Sequence, residues 1–574
     1  MNAPLRVLLP GVITLLLAAC GDATSETAAT TGSSAPGTTA PAGSSDEVGS
    51  LPTTSGHDGT AGTADATTST SSTSTTTTIS TTDLTSTDDT GSLKLDVGGM
   101  PDVGTGGEPG EIPVTCSEAQ QFETTIGCLF YALDLDNYTP WDTSQWGVAV
   151  ANVQQDVEAS VVVEVKENGV WQTVAGPQAI AAQDLHVFAL PDRHQEGSGV
   201  QLGGAYRITS DVPVIAYQFD PLGDMNDSGW ASADASLLHP SPSWDTINSV
   251  VGIGSTGFML PPQGAYVTVV AGHDGTVVTV VPGTATLAGP GVPAGVPGQG
   301  FEVQLDEGDV VEVMTKTPGA ALTGTRITSN DDHPVGVFSG HECANIPANV
   351  YACDHLEEQM PGVRRWGNHF VAARVPVRVG PGDPPEPSLW QIYASEDDTE
   401  ITLTASPAVT GLPPSPFTLD ANEVAEFSVG GEPGDPGDFL VDATRPIAVA
   451  NYMTSQNNIT LPGKTGDPAM LLLSPVEQYL QGYVVLVPTA WPSDAATFIR
   501  HAGATVMIDD VPVPEDAWYP VGPDYEVART NIPDGVHRLV GDQPFSVTIT
   551  GTHQTGSYAY LGGMATVKIN PTPQ

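Results

Sequence analysis

Positive charge is what this chain lacks most: of 574 residues only 17 are Lys or Arg, against 67 Asp or Glu, for a formal net charge of −50. Such a field repels polyanions, which excludes nucleic acid as a partner. An acidic, lysine-poor surface suits a soluble exterior protein, and by itself it signals solvation rather than a ligand. Charged helix formers are scarce as well, whereas Gly (63) and Pro (50) abound. That balance favours strands joined by turns, so the expected fold class is all-β. No apolar run reaches the ~20 residues of a bilayer-spanning helix. Hydrolase signatures are missing too, both Gly-x-Ser-x-Gly and His-Glu-x-x-His. Gly463-Lys464-Thr465 is no phosphate loop, because the preceding glycine of that motif would fall on Asn458. No motif carries a catalytic mechanism and no cofactor is expected. Scattered carboxylates leave an extracellular polysaccharide-active enzyme as the alternative.

The N-terminus is the most telling stretch that is present. Arg6 gives a small positive start, Val7 to Ala19 give about a dozen mostly apolar residues, and the run closes as Leu17-Ala18-Ala19-Cys20. This resembles a bacterial lipoprotein signal, residues 1–19, with Cys20 taking the lipid and becoming the mature end. The resemblance implies attachment to a membrane through the lipid, in the cell envelope, as an extracytoplasmic outer-membrane lipoprotein. Residues 20–112 follow as a Ser/Thr/Gly-rich tether in which almost nothing apolar recurs. With nothing to offset chain entropy it is expected to be disordered, about 90 residues reaching roughly 50 Å by random-coil scaling.

Beyond residue 112 the pattern changes to alternating apolar and polar positions broken by Gly, Pro, Asn and Asp, as in residues 265–281 and 389–405. Four segments share one motif, a strand entering a polar turn with a proline at its exit: Pro213, Pro334, Pro446 and Pro544. Their period of roughly 115 residues is too long for one propeller blade and near that of an immunoglobulin-sized sandwich. The expected architecture is tandem β-sandwich-like modules of about six strands, 113–235, 236–355, 356–468 and 469–574. A propeller-like arrangement is the alternative. After the first three prolines the copies diverge, then rejoin at Asp234, Asp354 and Asp467. Loops that vary on a repeated frame are where binding surfaces are built, so this edge is the candidate ligand face.

Besides Cys20 the four cysteines form two close pairs, Cys116 with Cys128 and Cys343 with Cys353. In an exported chain this suggests two disulfides, each closing a loop of about a dozen residues. His341, Cys343, Cys353 and His355 are also the residue types of a tetrahedral zinc site. Export, the short loop and a second pair without histidines favour the disulfide. Asp224, Asn226 and Ser228 look like the first half of a calcium loop, but the twelfth position is Ala235 and lacks the bidentate carboxylate, so calcium is at most a weak expectation.

The run containing Gly340-His341-Glu342-Cys343, then Cys353-Asp354-His355, Glu358-Gln359-Met360-Pro361 and Trp366-Gly367 is similar to the N-terminal domain of the IgG-Fc-binding protein of mucus and its bacterial relatives. The similarity covers roughly Cys116 to Gly563 and is strongest from Arg326 to Val371. It implies a noncatalytic extracellular domain and a disulfide between Cys343 and Cys353; no residue set for Fc binding carries over. His341, Glu342, His355, Arg364, Arg365 and Trp366 are the candidate ligand-face residues, Arg and Trp being common hot-spot types. The other reading of that last trio is a core Trp whose rim the arginines cover. The function expected is adhesion or recognition of an extracellular protein or glycan. A purely structural envelope component is the third possibility.

Overall fold

The computed structural model describes residues 112–574 apart from 140, 223–231, 256–262, 381, 463, 490, 571, 572 and 574. Cys20, the expected signal, nearly all of the expected tether and the calcium candidates Asp224, Asn226 and Ser228 lie outside the described residues.

The all-β expectation holds, in four repeats built round one long strand each. The long strands are Tyr206–Asp220, Phe439–Tyr452 and Gly535–Thr552; in the second repeat the equivalent is broken into Arg326–Ser329 and Val335–Ala344. Each long strand changes partners half-way. In the first repeat Ile208 pairs with Phe130 and Val163, whereas Tyr217 pairs with Ala149 and Leu237. Residues 211–213 between the two halves have no ladder partner, and there proline's missing N–H removes nothing. A bend at that point carries one strand through two parts of a curled sheet.

The polar residue ahead of each proline has a job in every repeat. Its side-chain oxygen accepts a backbone N–H from the neighbouring strand or its leading edge: Asp211 from Ser160 at 2.7 Å, Asn330 from Val277 at 2.9 Å, Thr444 from Glu400 at 2.9 Å and Asp542 from Thr505 at 2.8 Å. An N–H that the bend leaves without a ladder carbonyl is thereby satisfied. The second repeat has two extra residues before its proline, and there the long strand opens and its sheet divides into five- and four-stranded parts. The first and third repeats keep seven-stranded sheets, one strand more than the alternation suggested.

That additional strand is short and wholly buried: Asp234–Leu237, Asp354–Gln359, Met470–Leu472 and Ser557–Leu561. These inner strands stand round a common axis, the first against the second and fourth, the third likewise. The repeats therefore close into a propeller-like ring, and their cores are shared between neighbours. Ile215, Tyr217 and Phe219 pack with Tyr483, Val485 and Tyr560 across the first and fourth repeats. Val267 and Val337 share a core with Ala450 and Met470 across the second and third. The closure is fastened by a bridge between Thr124 and Ala565, where the Thr125 N–H meets the Met564 carbonyl at 3.2 Å.

Candidate functional site

Among the described residues, the connections from long strand to inner strand meet at one end of this axis, the first repeat tied to the second, the second to the third and the third to the fourth. Ser232 Oγ donates to Asn137 Oδ1 at 2.7 Å, and the Ala233 N–H donates to Asp354 Oδ1 at 2.9 Å. Asn457 Nδ2 donates to the Tyr351 carbonyl at 2.9 Å, and Ser455 N–H to the Ile346 carbonyl at 2.7 Å. Gly466 N–H reaches the His553 carbonyl at 2.7 Å. On this end Tyr351 is 60 % exposed, with Asn457 and Thr460 exposed beside it. This end thus presents an aromatic ring, an amide and a hydroxyl to solvent.

Cys343 and Cys353 are joined in a disulfide, as are Cys116 and Cys128. The thiolates of a zinc site are therefore consumed. His341 and His355 lie on paired strands, fully buried. His341 Nδ1 accepts the Cys343 N–H at 3.0 Å. His355 Nε2 lies 3.3 Å from Tyr266 Oη and 3.8 Å from Asp220. Burial pushes the His341 imidazole down to about 4 and that of His355 to about 3, so both are neutral. Glu342, half-buried, is raised to about 7 by the same desolvation, less what the Gly264 N–H returns.

Four of the six expected ligand-face residues lie inside the fold: His341, His355, Arg365 and Trp366 are all buried. Trp366 closes a short 3₁₀ turn, Val363–Arg365, that links the second and third repeats. Its Nε1 donates to the Pro361 carbonyl at 3.1 Å and its ring packs on Tyr393. Trp244 and Tyr479 end the equivalent turns of the neighbouring links. The Arg364 and Arg365 guanidiniums both bind Asp245, a residue of the preceding link, with Arg365 Nη1 at 3.1 Å and its Nε on the Thr566 carbonyl at 2.9 Å. The reason is electrostatic: a carboxylate sealed between repeats needs a cation, and these two arginines supply it.

Sequence reasoning missed a second concentration of ionisable groups, the buried acids between the first and second repeats. Asp134, Asp136, Asp220, Glu312 and Glu357 are each under a tenth exposed. Gln218 Nε2 donates to Glu357 at 2.6 Å and Thr268 Oγ1 to Glu312 at 3.2 Å. Burial raises all five, Asp220 to about 8, and neighbouring carboxylates raise most of them further. They are enclosed in the sheets rather than lining an open cleft. The available signal was a set of acids at inward positions of otherwise apolar strands, as in Val310–Met314.

A family model described as IgGFc binding protein matches residues 234–551, more than half of the chain. The chain belongs to the IgGFc-binding family. No curated protein matches it. The family's match opens on Asp234, the first residue of an inner strand, and runs into the long strand of the fourth repeat. It takes in the second and third repeats entire, and with them the disulfide between Cys343 and Cys353. Membership of a binding family suggests a recognition protein and is consistent with a non-enzyme.

Proposed function

We propose that this chain is a lipid-anchored recognition protein of the cell envelope, which holds an extracellular protein through the connections gathered at one end of its ring. The observation that carries the reading is that convergence: the described connections of the second, third and fourth repeats are tied together at one face, around exposed Tyr351 and Asn457. Rigid aromatic and adaptable amide side chains on a fixed frame are the materials of recognition surfaces. Attachment rests on the segment ending at Cys20; among the described residues no helix is long and apolar enough to cross a membrane.

The test uses cells producing the full chain, exposed to labelled extracellular proteins, immunoglobulin Fc included, and to matrix glycans. Retention that falls at least tenfold in a Tyr351→Ala/Asn457→Ala variant supports the reading. Retention of glycan alone moves the ligand class, and hydrolysis of a polysaccharide in the same panel replaces recognition with catalysis. Cys20→Ser is expected to release the protein from membranes; an unchanged membrane fraction removes the anchor.

A further inference from the structure

We propose that Asp142, His194 and Glu196, at the outer rim of the first repeat, form a site for a divalent transition-metal ion of the zinc class. One ligand atom of each lies within 4.8 Å of the other two, a spread that small side-chain rotations close onto an ion held at about 2.0–2.2 Å. Two of the three are already oriented from behind. His194 Nδ1 lies 2.8 Å from Asp192 Oδ1, which leaves Nε2, 4.0 Å from Glu196, for the ion. A carboxylate on the far nitrogen is the usual companion of a metal-bound histidine. Thr139 Oγ1 donates to Asp142 Oδ2 at 2.6 Å, while Oδ1 of that carboxylate is closed to solvent and has no hydrogen-bond partner.

A second observation lies outside the ligand set. Asp136 is 1 % exposed and its carboxyl meets that of Glu312, equally buried. Its Oδ2 accepts the N–H of Gly197 at 2.8 Å, next to Glu196, and the carboxylates it faces on that side are Glu342 and Glu196. Glu342 in turn faces Glu196 and Asp142. Among the described residues no Lys or Arg forms an ion pair with Asp136, Asp142, Glu196 or Glu342, so a dication would supply the counter-charge they lack. The same histidine also comes within reach of Asp134 and Asp192, but Asp134 is occupied by the Arg193 N–H, so that side orients the ring. One imidazole and two carboxylates with open positions suit Zn²⁺ or Mn²⁺; Ca²⁺ takes about six to eight oxygens.

The experiment is calorimetric titration of the chelator-treated full chain with Zn²⁺, with Mn²⁺ and Ca²⁺ in parallel. One saturable Zn²⁺ or Mn²⁺ site is expected. Affinity should fall at least tenfold in His194→Gln and in Glu196→Gln, the latter a largely exposed carboxylate whose loss leaves the fold intact, and about tenfold in Asp192→Asn through loss of the ring's orienting partner. No saturable binding up to millimolar metal overturns the proposal. So does binding unchanged by Glu196→Gln and His194→Gln with native circular dichroism, or a preference for Ca²⁺ over both transition metals.

Discussion

The carboxylate of Asp234 accepts the backbone N–H of Met470 at 3.0 Å, across 236 positions of chain. The same side chain accepts from Glu357 and Ala559, each at 3.3 Å. One aspartate on the inner strand of the first repeat therefore holds the inner strands of the other three. Asp234→Ala leaves three buried N–H groups without an acceptor, at about 1–3 kcal/mol apiece if none finds water. The expected loss is roughly 3–6 kcal/mol by denaturant titration, with Asp234→Asn milder because one oxygen remains. A change under 1 kcal/mol in the alanine variant would deny Asp234 its role as a hub.

Arg365 and Asp245 form a pair sealed between successive links, with side chains 2 % and 1 % exposed. Removing one partner of such a pair strands the other charge, so Arg365→Ala should destabilise by about 3–5 kcal/mol. Ligand retention per folded molecule should not move. A variant that folds normally but loses retention would return Arg365 to the binding surface.

Peptide mapping without reductant should find Cys343 linked to Cys353 and Cys116 to Cys128. Replacing Cys343 and Cys353 together with Ser should lower stability by about 2–3 kcal/mol, the chain-entropy value for so short a loop. Free thiols at that pair would reopen the metal reading of His341 and His355.

Stability should peak in mildly acidic solution. Asp220, Glu342 and Asp494 are raised, to about 8, 7 and 7, chiefly by burial. A raised acid binds its proton more tightly folded than unfolded, so its contribution is complete below the ordinary carboxyl range and is lost as pH climbs to about 7–8. His239, His341 and His355 are lowered by burial to about 3, 4 and 3. Their contribution is complete above the ordinary imidazole value near 6.5 and is lost as pH falls through that window. Between about 4 and 6.5 the two sets oppose; above it only the acids act. Tm should therefore decline from pH 6.5 to pH 8.5 in low salt, and a rise over that interval would contradict the buried acids.

Much of the frame could be read from residue order because its signals are local. The alternation in Thr276–Val281 and the polar residue before each proline report on the strand that carries them and its immediate neighbour. Even so, the turn at Pro213, Pro446 and Pro544 is a bend inside one continuous strand, since ladder pairing resumes on its far side. The inner strands went uncounted because burial on both faces erases the period of two. Arg365, Trp366 and His355 carry types frequent at interfaces, and only the packing of distant links against them reveals that they face inward. The cluster of Asp136, Asp220 and Glu357 is assembled from separate strands, so no spacing along the chain announces it.

Fastening Thr124 to Ala565 brings the two extremities of the folded body side by side. A circularly permuted chain, spliced there and opened at Pro361, should still fold, since adjacency rather than chain order defines the ring. Because the disulfide between Cys116 and Cys128 spans Thr124, a pull on the N-terminal segment bypasses that clasp and enters the strand Gly127–Ala132 of the first repeat directly.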